Sequence, residues 1–340
     1  MLQFDERLIN FAMNPSTGPR IVVIGGGTGL SMLLRGLKLY SYNLTAIVTV
    51  ADNGGSSGML REDLGMLPPG DIRNCILALA DTEPLMTDLL NFRFQDGRLQ
   101  GQSFGNLFIA AMNAVSGNFS DAIRNVSKVL AVKGRVLPVS LQDINLIAHL
   151  TDGSTIFGES EIGSRTATDK NRIERITMNP PDAPALQEAL MAIREAEVIV
   201  LGPGSLYTSV IPNLLFPEVV QTIIDSAATK IYVSNIMTQP AETLGYDAAD
   251  HVRALIDHAG LTSAAGLIDY CITNNAWIED RLIEKYQLQS AIPVTTDLDA
   301  LEALGLKVMQ SPLACVSNGV IRHDHTLLAR LILGLGLAHP

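Results

Sequence analysis

Hydrophobic positions along this chain follow two periods. Short unbroken apolar runs occupy residues 20–24, 44–50, 198–201, 230–235 and 267–273, most of them closed by glycine or small polar residues. Continuous apolar runs of this length predict strands covered on both faces. Between them, residues 30–37, 183–196, 217–227 and 247–259 carry apolar residues at helical spacing. Strands and helices alternating in this way predict an α/β fold, a Rossmann-like doubly wound and mostly parallel sheet. Residues 20–50 read as strand, glycine turn, helix and strand, a right-handed βαβ unit.

Two regions depart from that pattern. Residues 103–130 predict two helices separated by Ser116-Gly117-Asn118, and residues 143–160 predict a hairpin around Asp152-Gly153. Together they predict a small antiparallel and helical insertion, its antiparallel piece at a sheet edge or on a small lobe. No linker or charge block divides the rest. The expected organisation is therefore an N-terminal extension, residues 1–19, and one α/β domain, residues 20–335.

Composition changes this picture little. Apolar residues make up 47% of the 340 residues and charged residues 17%, which excludes a largely disordered chain. The net charge of −11 gives no electrostatic reason to bind nucleic acid or an anionic membrane. Any bound anion must be held by local donors. Asp5 and Glu6 stand where a signal peptide needs positive charge, and no apolar run reaches the roughly 18 residues of a spanning helix. Cys75, Cys271 and Cys315 lie far apart, as reduced thiols would. A cytoplasmic protein without membrane insertion is expected, and the high apolar content is compatible with a homo-oligomer.

Ligands of open α/β sheets sit beyond the carboxyl ends of the strands, so the loops leaving those strands carry the candidate chemistry. The first loop holds Gly25, Gly26, Gly27, Thr28 and Gly29. Glycines let backbone amides approach an anion, and the following helix presents its positive end. It is neither a Walker A loop nor a dinucleotide fingerprint, whose third glycine position is Leu30 here. The second loop offers Asp52, Asn53, Ser56 and Ser57 for phosphate or a hydrated ion. The third holds Asp71, expected as the N-cap of the helix that follows, with Arg73 and Asn74. Arg73 stands in the first turn, where the helix dipole disfavours a cation unless an anion is near. Ser103 and Asn106 precede or open another helix, and Gly202, Gly204 and Ser205 form a second glycine-rich turn. Two such turns in one sheet suit a diphosphate. His323-Asp324-His325 has no metal-ligand spacing, so no metal site is expected. No nucleophile or acid–base pair stands out, so no catalytic residue is assigned.

Five motifs in series carry a resemblance: the glycine loop after the first strand, Asp52-Asn53-Gly54-Gly55-Ser56-Ser57-Gly58, Pro69-Gly70-Asp71-Ile72-Arg73-Asn74, Gly202-Pro203-Gly204-Ser205-Leu206-Tyr207-Thr208 and Asn235-Ile236-Met237-Thr238-Gln239-Pro240-Ala241-Glu242-Thr243. From about residue 20 to 330 the chain resembles the YvcK family of bacterial gluconeogenesis factors. That family shares its fold with CofD, the 2-phospho-L-lactate transferase of coenzyme F420 synthesis. The resemblance implies a CofD-like fold, a dimer, and a cytoplasmic role in cell shape and growth on gluconeogenic carbon sources. It implies a UDP-sugar ligand, such as UDP-N-acetylglucosamine or UDP-glucose, with cell-wall or metabolic proteins as partners. The alternative is a CofD-type transferase that moves a phospholactyl-like group from a nucleoside-diphosphate-linked donor, with Mg²⁺ as its cofactor. CofD places paired aspartates where this chain has Asp52-Asn53, which weakens a Mg²⁺ site. The YvcK family often has histidine where this chain has Gln102. Tyr286 on a predicted helix, and Arg322 after the last strand, are the candidates for stacking on the base and for gripping the diphosphate.

Overall fold

The computed structural model describes residues 6–166, 171–317 and 319–337. Residues 1–5 of the expected extension, and 167–170 and 318 of the expected domain, lie outside them. Seven parallel strands form the central sheet: β1 (Ile21–Gly25), β2 (Leu44–Val48), β3 (Arg135–Pro138), β7 (Val198–Leu201), β8 (Thr229–Val233), β9 (Tyr270–Asn274) and β10 (Lys307–Ser311). Their order is β10-β9-β8-β7-β1-β2-β3. The remaining strands are β4 (Asn145–Leu150), β5 (Thr155–Phe157), β6 (Ile173–Asn179), β11 (Ala314–Ser317) and β12 (Val320–His323).

The central strands are those with continuous apolar runs. β1, β2, β7 and β8 are buried at every position, as strands with helices on both faces must be. The helix Gly27–Leu37 buries Leu30, Leu33, Leu34 and Leu37 on one stripe. It packs against the C-terminal helix His325–Gly336, which buries Leu328, Leu331, Ile332 and Leu335. These stripes follow the period of 3.6 and form part of one continuous core.

The edge strands differ from expectation for the same reason. β10 carries Lys307, Gln310 and Ser311, and β3 carries Arg135 and Pro138, so neither shows an apolar run. An edge strand needs no second covered flank and tolerates proline. The run expected at residues 267–273 enters the sheet only at Tyr270, because Leu267 and Ile268 close a turn onto the Ala264 carbonyl.

The hairpin of β4 and β5 forms as expected. It pairs with β6 in a separate three-stranded antiparallel sheet, so the antiparallel piece is a lobe, whereas the helices Phe104–Ser116 and Phe119–Val129 pack on the main body. Arg61, in the helix Gly55–Leu64, ties that lobe to the main body. Its Nε donates to Asp143 Oδ1 at 2.6 Å, and its Nη2 donates to the Ile144 carbonyl at 2.8 Å and to Asn145 Oδ1 at 2.9 Å. The Arg61 side chain is 8% exposed and that of Asp143 66%. Truncating the exposed partner leaves a solvated gap, whereas truncating the buried one strands two acceptors and a void. Arg61→Ala is expected to lower stability by about 2 kcal/mol and Asp143→Ala by less than about 0.5 kcal/mol, read as urea midpoints. Equal effects would contradict this account.

Candidate functional site

The strand order reverses between β1 and β7. From β1 the chain passes through the helix Gly27–Leu37 to β2 on one side, and from β7 it runs to β8 on the other. The loops leaving β1 and β7 therefore diverge and leave a crevice at the carboxyl ends of their strands, the position at which doubly wound sheets hold ligands. These are the two glycine-rich turns.

Gly26 is extended, and Gly27 turns the chain into its helix with φ +68°. No side chain caps this helix at Gly26. The Gly27 amide donates to Asp71 Oδ2 at 2.7 Å, and the amides of Thr28 and Gly29 have no acceptor within the helix. A Cβ on Gly29 would lie 2.5 Å from the Pro203 carbonyl oxygen, so the loops meet backbone to backbone.

A cavity of about 320 Å³ opens at this junction. Gly26, Gly27, Thr28 and Gly29 form one wall, and Gly204 and Ser205 another. Tyr286 and Arg322 line the same cavity, so eight residues from distant parts of the sequence converge. Tyr286 lies on the helix Asp280–Gln287, where its hydroxyl accepts from the Ile321 amide at 2.9 Å. Arg322 does not follow the last strand but lies within it: β12 pairs with β11 and places Arg322 opposite Cys315. Its side chain is exposed.

The other expected residues gather beside the cavity and bond mainly to one another. Asp71 is not an N-cap. Its helix starts at Gly70 with Pro69 at the cap, and the Asp71 carboxylate is spent on the Gly27 amide. Burial, together with the Asp52 carboxylate, pushes Asp71 up to about 6. Asp52 Oδ1 accepts from the Gly54 amide at 2.9 Å. Asn53 holds the lobe, accepting from the Ser160 amide at 2.8 Å and donating to Glu161 Oε2 at 3.0 Å. Ser56 is a buried hub that donates to Gln102 Oε1 and accepts from the Ser103 amide and Asn106 Nδ2. Arg73 donates to Ser103 Oγ and to Asn74 Oδ1, with the carboxylates of Asp71 and Asp52 nearby. Those two carboxylates meet the conflict with the helix dipole. The Ser57 hydroxyl packs against Gly70. Gly202 ends β7 with φ +76° and does not line the cavity.

Several lining residues were not among the expected ones. Asn235 and Gln239 leave the end of β8, and Gln239 Nε2 donates to Ser205 Oγ at 2.8 Å. His323 Nε2 meets the Ser234 carbonyl at 3.1 Å, and burial pushes its imidazole down to about 4. It is neutral at pH 7. Applying the strand-end rule to β8 as well as to β1, β2 and β7 would have found Asn235 and Gln239. Glu242 is buried, accepting from the Tyr207 amide at 2.8 Å and Thr208 Oγ1 at 2.7 Å. Among the described residues no group of three or more His, Cys, Asp or Glu side chains is placed to hold a metal ion. Nor is any helix among them long and apolar enough to cross a membrane.

The profile of the family described as 2-phospho-L-lactate transferase CofD matches residues 21–314. The chain belongs to the CofD family. Within it, the sequence is 55% identical to a protein of Thermoanaerobacterium thermosulfurigenes that bears a gluconeogenesis-factor name, over 94% of this chain and 97% of that one. It is 48% identical to the gluconeogenesis factor of Bacillus subtilis, over 93% of this chain and 98% of the relative. The crystal structure of a UPF0052-family protein from Bacillus halodurans superposes with a TM-score of 0.88 at 44% identity, covering 93% and 99% of the two chains. The CofD family and the gluconeogenesis factors are thus the relatives expected from the motifs.

Proposed function

We propose that this chain is a UDP-sugar-binding regulator of the gluconeogenesis-factor type. Its role would be in cell shape and growth on gluconeogenic carbon, exerted through cell-wall or metabolic partners. The observation that carries this reading is the convergence of both glycine turns with Tyr286 and Arg322 around one cavity at the switch point. In this reading the diphosphate lies on the amides of Thr28, Gly29 and Gly204, against the positive end of the helix Gly27–Leu37. Arg322 forks onto the phosphates from β12, and the Tyr286 ring stands beside the base. Backbone donors need no basic side chains, so the site is compatible with the net charge of −11.

Titration calorimetry with UDP-N-acetylglucosamine and UDP-glucose tests the reading. Saturable binding is expected, and Arg322→Ala should weaken it about tenfold or more, the worth of a charge-assisted hydrogen bond. No heat and no thermal shift at millimolar ligand would sink the proposal. Unchanged affinity in Arg322→Ala would remove that residue from the site.

A second reading rests on the proximity of Asp52 and Asp71 beside the phosphate loop. Mg²⁺ is commonly held by one or two carboxylates plus substrate phosphates, and these two residues are the ones that would hold it. The ion would neutralise charge on the diphosphate of a transferase donor. Release of nucleoside monophosphate from such a donor, dependent on Mg²⁺ and lost in Asp52→Asn, would favour this transferase over the regulator.

A further inference from the structure

A second cavity, of about 880 Å³, adjoins the first. Ser205 and Gln239 line both, and their hydrogen bond of 2.8 Å forms the partition. Beyond the partition the chemistry changes. The first cavity presents backbone donors and Arg322. The second presents the Glu159 and Glu242 carboxyls, the Arg165 guanidinium and the hydroxyls of Ser160, Ser164 and Thr208.

We propose that the second cavity is the subsite for the sugar of a nucleotide sugar, with Glu159 as its principal hydrogen-bonding partner. The inference rests on the nucleotide reading of the first cavity and extends it.

Three arguments support the assignment. The first is size. At about 320 Å³ the first cavity stands at the lower end of the roughly 300–1,000 Å³ of ligand pockets, small for a nucleoside diphosphate together with its sugar. The second is charge. Asp52, Asp71, Glu242 and Glu161 put a negative field on Glu159, and the Arg165 guanidinium of this cavity donates to the Ala241 and Asn171 carbonyls, so the cavity suits a neutral hydroxylated group better than a phosphate. The third is donor chemistry. Pyranose hydroxyls both donate and accept, and they are met by carboxyl, amide and hydroxyl groups. Glu159 is half-buried, and among the described residues neither a hydrogen-bond donor nor a cation meets its carboxyl. Burial and the carboxylates of Asp52, Asp71, Glu242 and Glu161 push it up to about 8. At neutral pH it is largely a protonated acid, able to donate to one hydroxyl and accept from another. Glu242, already bonded to Tyr207 and Thr208, is buried and positions the Thr208 hydroxyl.

The test is titration calorimetry on the full chain with UDP, UDP-glucose and UDP-N-acetylglucosamine. At least one of the two sugars is expected to bind about tenfold tighter than UDP, from two or three hydrogen bonds to hydroxyls. In Glu159→Leu the nucleotide sugars should fall to the affinity of UDP, with UDP itself changed by less than about twofold. Glu159→Gln, which keeps both a donor and an acceptor, should retain most of the gain. UDP binding with no gain from either sugar in the wild type would overturn the subsite, and that measurement needs no variant. A gain that survives intact in Glu159→Leu would overturn the role of Glu159. Absence of binding by UDP and both sugars would overturn the nucleotide reading as well.

Discussion

Gly29→Ala is expected to weaken nucleotide-sugar binding by more than about 100-fold, the worth of two charge-assisted hydrogen bonds. Helix propensity alone points to a gain in stability, since alanine is better than glycine in a helix by about 1 kcal/mol. The packing reverses that sign. A Cβ on Gly29 meets the Pro203 carbonyl oxygen at 2.5 Å and its carbon at 2.9 Å, and neither backbone atom can rotate away. The two loops must part, at an overpacking cost of roughly 1–3 kcal/mol. Parting moves the Thr28 and Gly204 amides away from a common anion, so binding suffers more than folding does. Calorimetry and a thermal melt on the same variant separate the two effects. Wild-type affinity together with a raised melting temperature would show that the loops are not in contact.

The second large effect concerns pH. Glu159 has an ordinary carboxyl value of 4.5 and stands at about 8 in the folded chain. Between those values the unfolded chain has lost this proton and the folded chain retains it. Stability therefore falls as pH rises through that window, and levels off above about 8. A full unit is worth about 1.4 kcal/mol, and allowing for the partial solvent exposure of the group the span comes to about 3 kcal/mol. Asp71, raised from 3.8 to about 6, acts in the same direction over the lower part of the window. Glu159→Gln cannot ionise. Its advantage over the wild type in urea unfolding should grow from near zero at pH 4.5 to about 3 kcal/mol at pH 8. A difference that stays constant with pH would show that Glu159 ionises normally.

The hydrophobic pattern determined much of this protein. Continuous apolar runs located β1, β2, β7 and β8, because only strands covered on both faces need them. The glycine turns after β1 and β7 were legible for a related reason: close backbone approach requires glycine, and glycine is visible in a sequence. The edge strands β3 and β10 were not legible, since a strand with one open flank has no compulsory pattern.

The candidate site divides in the same way. That the loops of Gly27 and Gly204 carry backbone donors could be read locally. Which polar residues face the cavity could not. Ser56, Ser103 and Asn106 look like ligand donors in the sequence, yet once buried they hydrogen-bond to one another, with Asn106 Oδ1 left without a partner among the described residues. Arg322 and Tyr286 join the glycine loops only because β12 and the helix Asp280–Gln287 fold back over the crevice. Glu159 gave no indication in the sequence, since its raised value comes from burial and from four carboxylates distributed between residues 52 and 242. A sequence sets propensities over a few neighbouring residues. Burial, and the field of distant charges, exist only after the chain has closed on itself.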